Sequence, residues 1–218
     1  MKNFLFLLFF FSVAANAQSE IQPFGDAKRT PLTVIKYTDV EGNPYLYNFW
    51  VKGKVTLKNG KIYSNDSLKY DLIDDKLIFK NDDGTLMHFA EPVGAFDLLS
   101  KDLKVLHFRN GLPASNGLNS ESYFQIIYDG KIPLFKRTGK FVTESKQYNS
   151  ASTIKSFNTT YNYYLLQNEA LVKVSLNRKT IITLFGIKED QLNDYLKLEK
   201  IDFKKDEDLN KLFTYFNK

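Results

Sequence analysis

The chain contains no cysteine at all, only two histidines, one tryptophan and two methionines. Without thiols there is no disulfide framework, no thiolate metal ligand and no cysteine nucleophile. With two imidazoles alone, a histidine-rich metal site is excluded. No G-x-S-x-G elbow, P-loop or G-x-G-x-x-G stretch occurs, so neither a serine-hydrolase turn nor a phosphate cradle of the common kinds is encoded. Charge is dispersed as well. The formal net charge is +5, but Lys and Arg are scattered among acids rather than clustered on one element, as nucleic-acid binding requires.

Long apolar runs are missing except at the start. Lys2 precedes the unbroken apolar run Phe4 to Phe11, and Ala15-Asn16-Ala17 places small residues before Gln18. That order of positive charge, short apolar stretch and small-residue site is a secretory signal peptide, with cleavage expected after Ala17. A bilayer-spanning helix needs ~20 apolar residues, more than this run supplies. The expected location is therefore periplasmic or secreted, with no transmembrane segment after cleavage. An exported chain without disulfides must be held by packing and backbone pairing. At this length about 70 % of the unfolded surface can be buried. The side chains for it are nineteen Phe and thirteen Tyr.

Residues 18–31 are polar and contain Pro23 and Pro31, which predicts a flexible leader. From Leu32 the pattern is period two. Val51, Gly53, Val55 and Leu57 share one face, while Lys52, Lys54, Thr56 and Lys58 share the other, as in a half-buried strand. Those lysines would also discourage edge-to-edge association. Asn59-Gly60 predicts a type I′ hairpin into Lys61 to Tyr63. Leu68, Tyr70 and Leu72 alternate, Asp74-Asp75 turns, and Leu77 and Phe79 alternate back. Asp82-Asp83-Gly84 turns again, and strands follow around Leu86 to Phe89, Val93 to Leu98 and Val105 to Phe108. The Gly-, Ser- and Asn-rich segment 110–122 reads as a surface loop where the sheet could divide. Asp129-Gly130 predicts a further hairpin and Thr138-Gly139 a weaker one, with Pro133 marking an edge or bulged strand. Tyr161 to Gln167 and Ala170 to Val174 form a last pair. After Ser175 the period becomes helical: Ile181, Leu184 and Phe185 with Gly186 as stop, then Leu192, Tyr195 and Leu196, then Leu209, Leu212, Phe213 and Phe216. The expected architecture is α+β, mainly β: an antiparallel meander sheet or open barrel over 32–174, followed by C-terminal helices over 175–218 packed on the sheet.

The stretches GKVTLKNGKIY, LKYDLIDDKLIFK and YFQIIYDGKIPLFKRT and the closing DLNKLFTYFN resemble a family of uncharacterised exported proteins of Gram-negative bacteria. The resemblance spans most of the chain after residue 17. It implies a periplasmic or envelope location and brings no activity, ligand or site residue.

Candidate chemistry is thin. His88 and His107 could meet if their strands pair, with Glu91 or Asp97 completing a metal site, although zinc wants three or four ligands. Ser115 has no visible base. Asp74-Asp75 and Asp82-Asp83 could act as acid and base, as glycosidases use two carboxyls, but at hairpin tips they should point into solvent. Asn81-Asp82-Asp83-Gly84 offers oxygens for calcium without an EF-hand loop. Lys131, Lys136, Arg137 and Lys140, interleaved with Phe135 and Phe141, read either as an anionic-polymer site or as the wet face of a sheet. Tyr161, Tyr163 and Tyr164 read as a sugar-stacking platform or as sheet packing. No catalytic, cofactor-binding or metal-binding residue is assigned, and no cofactor is expected. The expected function is non-enzymatic binding or assembly in the envelope, with an envelope protein or an anionic or apolar envelope component as partner and no nucleic acid. The alternatives are a periplasmic carrier holding a lipid-like apolar ligand in a curved sheet, and a cell-wall hydrolase, which demands an open cleft lined by two or more carboxylates.

Overall fold

The computed structural model describes residues 21–22, 24–32, 37–81, 83–115, 117–146 and 153–217. Segment 1–17, where the sequence predicts a signal peptide, and Asp82 lie outside them. Thirteen strands are formed in chain order: β1 Ile21–Gln22, β2 Arg29–Pro31, β3 Val40–Glu41, β4 Val51–Leu57, β5 Ile62–Asp71, β6 Lys76–Lys80, β7 Leu86–Phe89, β8 Val93–Leu99, β9 Val105–Arg109, β10 Phe124–Tyr128, β11 Leu134–Lys146, β12 Thr153–Gln167 and β13 Ala170–Val174. Three helices close the chain: α1 Arg178–Phe185, α2 Glu189–Leu198 and α3 Asp206–Phe216. The protein is mainly β, as the alternation predicts. The part of 18–31 that is described is paired rather than loose, because its backbone finds free edges: β1 runs parallel to β5, and β2 runs antiparallel to β7.

All strands belong to one sheet in the order β13-β12-β11-β10-β9-β8-β4-β5-β6-β7-β2, with β1 beside β5 and β3 beside β12. It is mixed rather than purely antiparallel, since β1 and β3 pair in parallel. The sheet does not divide at 110–122, because β9 and β10 on either side of that loop pair directly. Nor is the loop all surface: Leu112 is buried with Phe124, Phe135, Tyr164 and Leu171.

One connection dictates the curvature. β7 and β8 are joined only by Ala90, Glu91 and Pro92, yet β6, β5 and β4 lie between them in the sheet. In a flat sheet that separation would be ~19 Å, whereas the extended link spans at most ~14 Å. The sheet must therefore curl until β7 faces β8. It does not close into a barrel: among the described residues the end strands β13 and β2 do not pair with each other. The curl encloses an aromatic core around Tyr63, Tyr70, Phe79, Phe96 and Phe108, in which Phe96 and Phe108 stack at 4.8 Å and Tyr70 meets Phe96 edge-on at 5.2 Å. Gly53 sits where β4 is squeezed between β5 and β8, since a Cβ there would lie 2.2 Å from the Asp97 carbonyl oxygen.

On β10, β11 and β12 successive residues serve opposite faces. Ile127, Leu134 and Leu165 pack under Ile181, Leu192, Leu196, Leu209, Leu212 and Phe213 of the helices. Each such fully buried side chain contributes about 1.5–3 kcal/mol. Asn177 caps α1 by accepting from the Thr180 N–H, and Gly186 ends it in the left-handed region at φ 62°. The tail is fastened by polar contacts too. Asn217 both accepts from the Ile132 N–H and donates to the Ile132 carbonyl, and Asp206 accepts from Lys136 Nζ at 2.7 Å and the Tyr163 hydroxyl at 2.9 Å.

Several turn expectations are corrected. At Asn59-Gly60 only Gly60 has positive φ. The Gly60 N–H donates to Leu57 O and Leu57 N–H to Lys61 O, which is a three-residue loop with glycine in the bulge position, not a type I′ turn. The two-residue turn with both φ values positive falls instead at Asn168-Glu169, between β12 and β13. Asp129-Gly130 opens a longer loop that ends at Pro133, one residue before β11; β11 itself is an interior strand between β10 and β12, not an edge, and its pairing with β10 next to Pro133 is bulged, with the extra residue, Ile127, on β10. Thr138-Gly139 makes no turn: β11 runs straight through it, with Gly139 opposite Thr160. The lysines of this stretch guard no edge, because β4 lies between β5 and β8, and Lys52 and Lys54 of β4 and Lys58 just after it pair with Asp66, Asp97 and Glu121.

Candidate functional site

The seam where β7 faces β8 without backbone pairing is open as a cleft of about 550 Å³. Its walls carry Asp75, His88, Glu91, Glu121 and Tyr123, with Phe89 and Pro92 among the apolar members. The volume lies in the range of small-molecule sites. His88 reaches it from β7 and also borders a smaller hollow of about 240 Å³. Glu91 belongs to the short link that forces the curl, so the residue that lines the cleft is part of the feature that creates it.

Two side-chain atoms of residues in this wall are buried with no hydrogen-bond partner among the described residues: His88 Nδ1 and Glu91 Oε2. The other Glu91 oxygen accepts from Asn59 at 3.1 Å. Orphaned buried polar atoms are rare in folded proteins and costly to leave unmade. Both atoms are covered, and both belong to residues that line the cleft, so a turn of either side chain would bring it to an incoming group.

The floor is a buried ionic network. Asp75 stands in the β5–β6 turn at φ 55° and turns inward, not into solvent as a hairpin-tip aspartate should. Arg137 of β11 grips it with two nitrogens, at 2.9 and 2.8 Å. The same guanidinium donates to the Tyr70 hydroxyl at 2.6 Å and the Tyr123 carbonyl at 2.9 Å, while the Tyr70 hydroxyl donates to Asp75. Burial, and next the Asp75 charge, push the Tyr70 phenol well above its ordinary value. Desolvation alone would lower Arg137, but Tyr70 and Asp75 outweigh it and hold the guanidinium charged. Tyr123 is likewise pushed up, mainly by burial, and its hydroxyl donates to Val93 O at 2.8 Å. Both Asp75 oxygens are thus committed to neutralising Arg137 and to tying β5, β10 and β11 together.

The histidines do not meet. β9 and β7 are separated by β8, β4, β5 and β6, and His107 Nδ1 instead lies 2.8 Å from Asp97 on the neighbouring strand. Among the described residues no group of three or more His, Asp or Glu side chains is placed to hold a metal. Asp74 borders the smaller hollow and Asp75 the cleft, so the two neighbours serve different spaces. Asp83 Oδ1 accepts from the Thr85 N–H, an ordinary turn bond, and Asn81 Oδ1 accepts from Arg29 of β2. Ser115 exchanges backbone bonds with Leu118, away from the cleft walls.

Three of the four cations in the basic segment serve the fold. Lys136 holds Asp206, Arg137 holds Asp75, and Lys140 donates to the Asn43 and Tyr45 carbonyls; these are part-buried structural cations, whereas Lys131 is exposed, and of the two interleaved phenylalanines Phe135 is buried and Phe141 exposed. The tyrosine trio is divided by strand alternation: Tyr164 is buried in the core, whereas Tyr161 is exposed and Tyr163 bonds Asp206. The sequence points to His88 and Glu91 as metal ligands and to Asp75 as half of a carboxylate pair, and gives no sign of Tyr70, Tyr123 or Glu121. Nothing local marks them, since Arg137 and Asp75 are 62 positions apart. Compared with protein-family models, with curated proteins and with solved structures, the chain matches none.

Proposed function

We propose that this chain is a non-enzymatic binding protein of the bacterial envelope, exported by its N-terminal segment, and that the β7–β8 cleft is where it holds its ligand. The supporting observation is that two residues lining one cleft, His88 and Glu91, each carry a buried side-chain atom with no hydrogen-bond partner among the described residues. A carboxylate oxygen only accepts and a neutral imidazole nitrogen does either, so the fitting ligand presents hydroxyl or ammonium donors beside a small apolar surface. A lipid carrier fits less well, because Phe79, Phe96, Phe124 and Phe135 fill the interior on both sides of the sheet.

The chain has only two histidines, so the ring signals of His88 are readily separated from those of His107 by NMR. Titration with a neutral disaccharide and, separately, with a diamine should move the His88 signals saturably, leave His107 in place and fail in Glu91→Gln. No His88 response to either probe at millimolar concentration defeats the reading. The hydrolase reading is favoured by Asp75, Glu91 and Glu121 sharing one cleft. Against it, Asp75 is consumed by Arg137, and Glu121 pairs with Lys58 at the surface. Release of soluble fragments from peptidoglycan by the wild type but not by Glu91→Gln would establish it instead.

A further inference from the structure

A second polar-aromatic feature lies on the opposite face of β5, away from the cleft. Leu68 and Tyr70 point into the core, so Lys69 between them points out. There it meets the aromatic segment that leads into β4. Lys69 Nζ is 4.6 Å from the Tyr45 ring centroid and 4.8 Å from that of Trp50, and Lys80 Nζ, from the end of β6, is 5.0 Å from the same Trp50 ring.

Two ammonium groups on one indole repel each other. Each cation–π contact offsets about 0.5–1 kcal/mol at such a site. Among the described residues neither Lys69 nor Lys80 forms an ion pair, although Lys52, Lys54, Lys58, Lys104, Lys136 and Lys155 all do. Asp71, two residues along β5, is turned to its own backbone, accepting from the Ile73 and Asp74 N–H groups. Lys69 is held below its ordinary range by burial and then by the Lys80 charge, the condition a bound anion relieves. Among the described residues Lys69 donates only to the Asn48 carbonyl, at 3.3 Å, which leaves two of its three N–H groups for an anion.

We propose that Lys69, Lys80 and the Trp50 indole form an anion site for a phosphate group, the two ammoniums donating to its oxygens and the ring fixing their position. A tetrahedral dianion bridges two cations that a single carboxylate would leave half-compensated, and charge-assisted bonds of this kind are the strong ones. The net charge of +5, only one unit of which (Lys2) lies in segment 1–17, favours the approach of anions.

Trp50 is the only tryptophan, so the protein carries its own reporter. Intrinsic fluorescence is followed during titration with inorganic phosphate, against sodium chloride at equal ionic strength, and in parallel with vesicles of anionic phospholipid against neutral ones. The expected result is a saturable change with phosphate beyond that with chloride, weakened about tenfold or more in Lys80→Gln and in Lys69→Gln, as loss of one charge-assisted bond implies, and recovered in Lys80→Arg. A response to anionic vesicles alone, abolished by Lys80→Gln, supports the site and identifies a lipid headgroup as the source. Equal effects of phosphate and chloride together with indifference to anionic vesicles overturn the proposal. So does binding unchanged in both glutamine variants while circular dichroism shows them folded.

Discussion

Replacing Asp75 with asparagine tests whether the ionic floor of the cleft holds the curled sheet together. Asparagine preserves shape and tolerates the left-handed backbone at φ 55°, so the change removes charge and little else. Arg137 would keep the Tyr70 hydroxyl and the Tyr123 carbonyl as acceptors but lose its counter-ion. The two side chains are only 12 % and 20 % exposed, and breaking so buried a pair from one side costs about 3–5 kcal/mol. For a domain of this size that corresponds to a fall in Tm of roughly 6–20 °C. Arg137→Met should cost a similar amount, and the double variant Asp75→Asn/Arg137→Met well below the sum, because neither partner is then left as an uncompensated charge; a coupling of about 2 kcal/mol is expected. Urea unfolding at pH 7 with linear extrapolation measures all three. Additive losses, or single losses below about 1 kcal/mol, would refute the claim that this pair is buried and coupled.

Other outcomes follow from the same structure. Because the Tyr70 phenol is raised in the folded state, both states stay protonated below about pH 10 and the unfolded state loses its proton first above it. Stability should therefore fall as pH rises past 10, and Tyr70→Phe should lessen the slope by up to about 1.4 kcal/mol per pH unit; identical alkaline slopes would contradict this. Gly53→Ala should destabilise by about 1–3 kcal/mol through overpacking against the Asp97 carbonyl, read as a lowered urea midpoint, and an unchanged midpoint would show that β4 and β8 can spread. Glu169→Gly, which places glycine at φ 60° in the two-residue turn, should raise stability by about 1 kcal/mol; a loss would mean the turn is not type I′. Mass spectrometry of the protein recovered from an exporting bacterium should find Gln18 at the N-terminus, and an intact Met1 would remove the ground for an envelope role.

How far the residues speak for themselves differs from element to element. The strands around Val55, Leu68, Phe79 and Phe96 and the three helices are legible because burial imposes period two or 3.6 on the sequence. Gly186 and the acidic opening of α3 mark helix ends through local hydrogen bonding and the helix dipole. Turn chemistry was legible only in part: Asn59-Gly60 reverses the chain, but a three-residue loop is chosen because Lys58 N–H bonds the Pro92 carbonyl on the other side. Thr138-Gly139 carries a turn dipeptide yet runs straight, held by thirteen residues of pairing between β11 and β12. Asn168-Glu169 hides its turn, since glutamate is a poor guide to positive φ.

The sequence by itself therefore determined class, periodicity and the order of strands before helices, all of which depend on neighbours within a few residues. Only the tertiary structure decided that β8 returns to β4 instead of extending beyond β7, and this one choice makes the rest. It curls the sheet, sets Glu91 and His88 on a common wall, and brings Arg137 down upon Asp75. Such meetings depend on how a twisted sheet closes over aromatic side chains, a balance of packing across the whole molecule that no stretch of residues records alone.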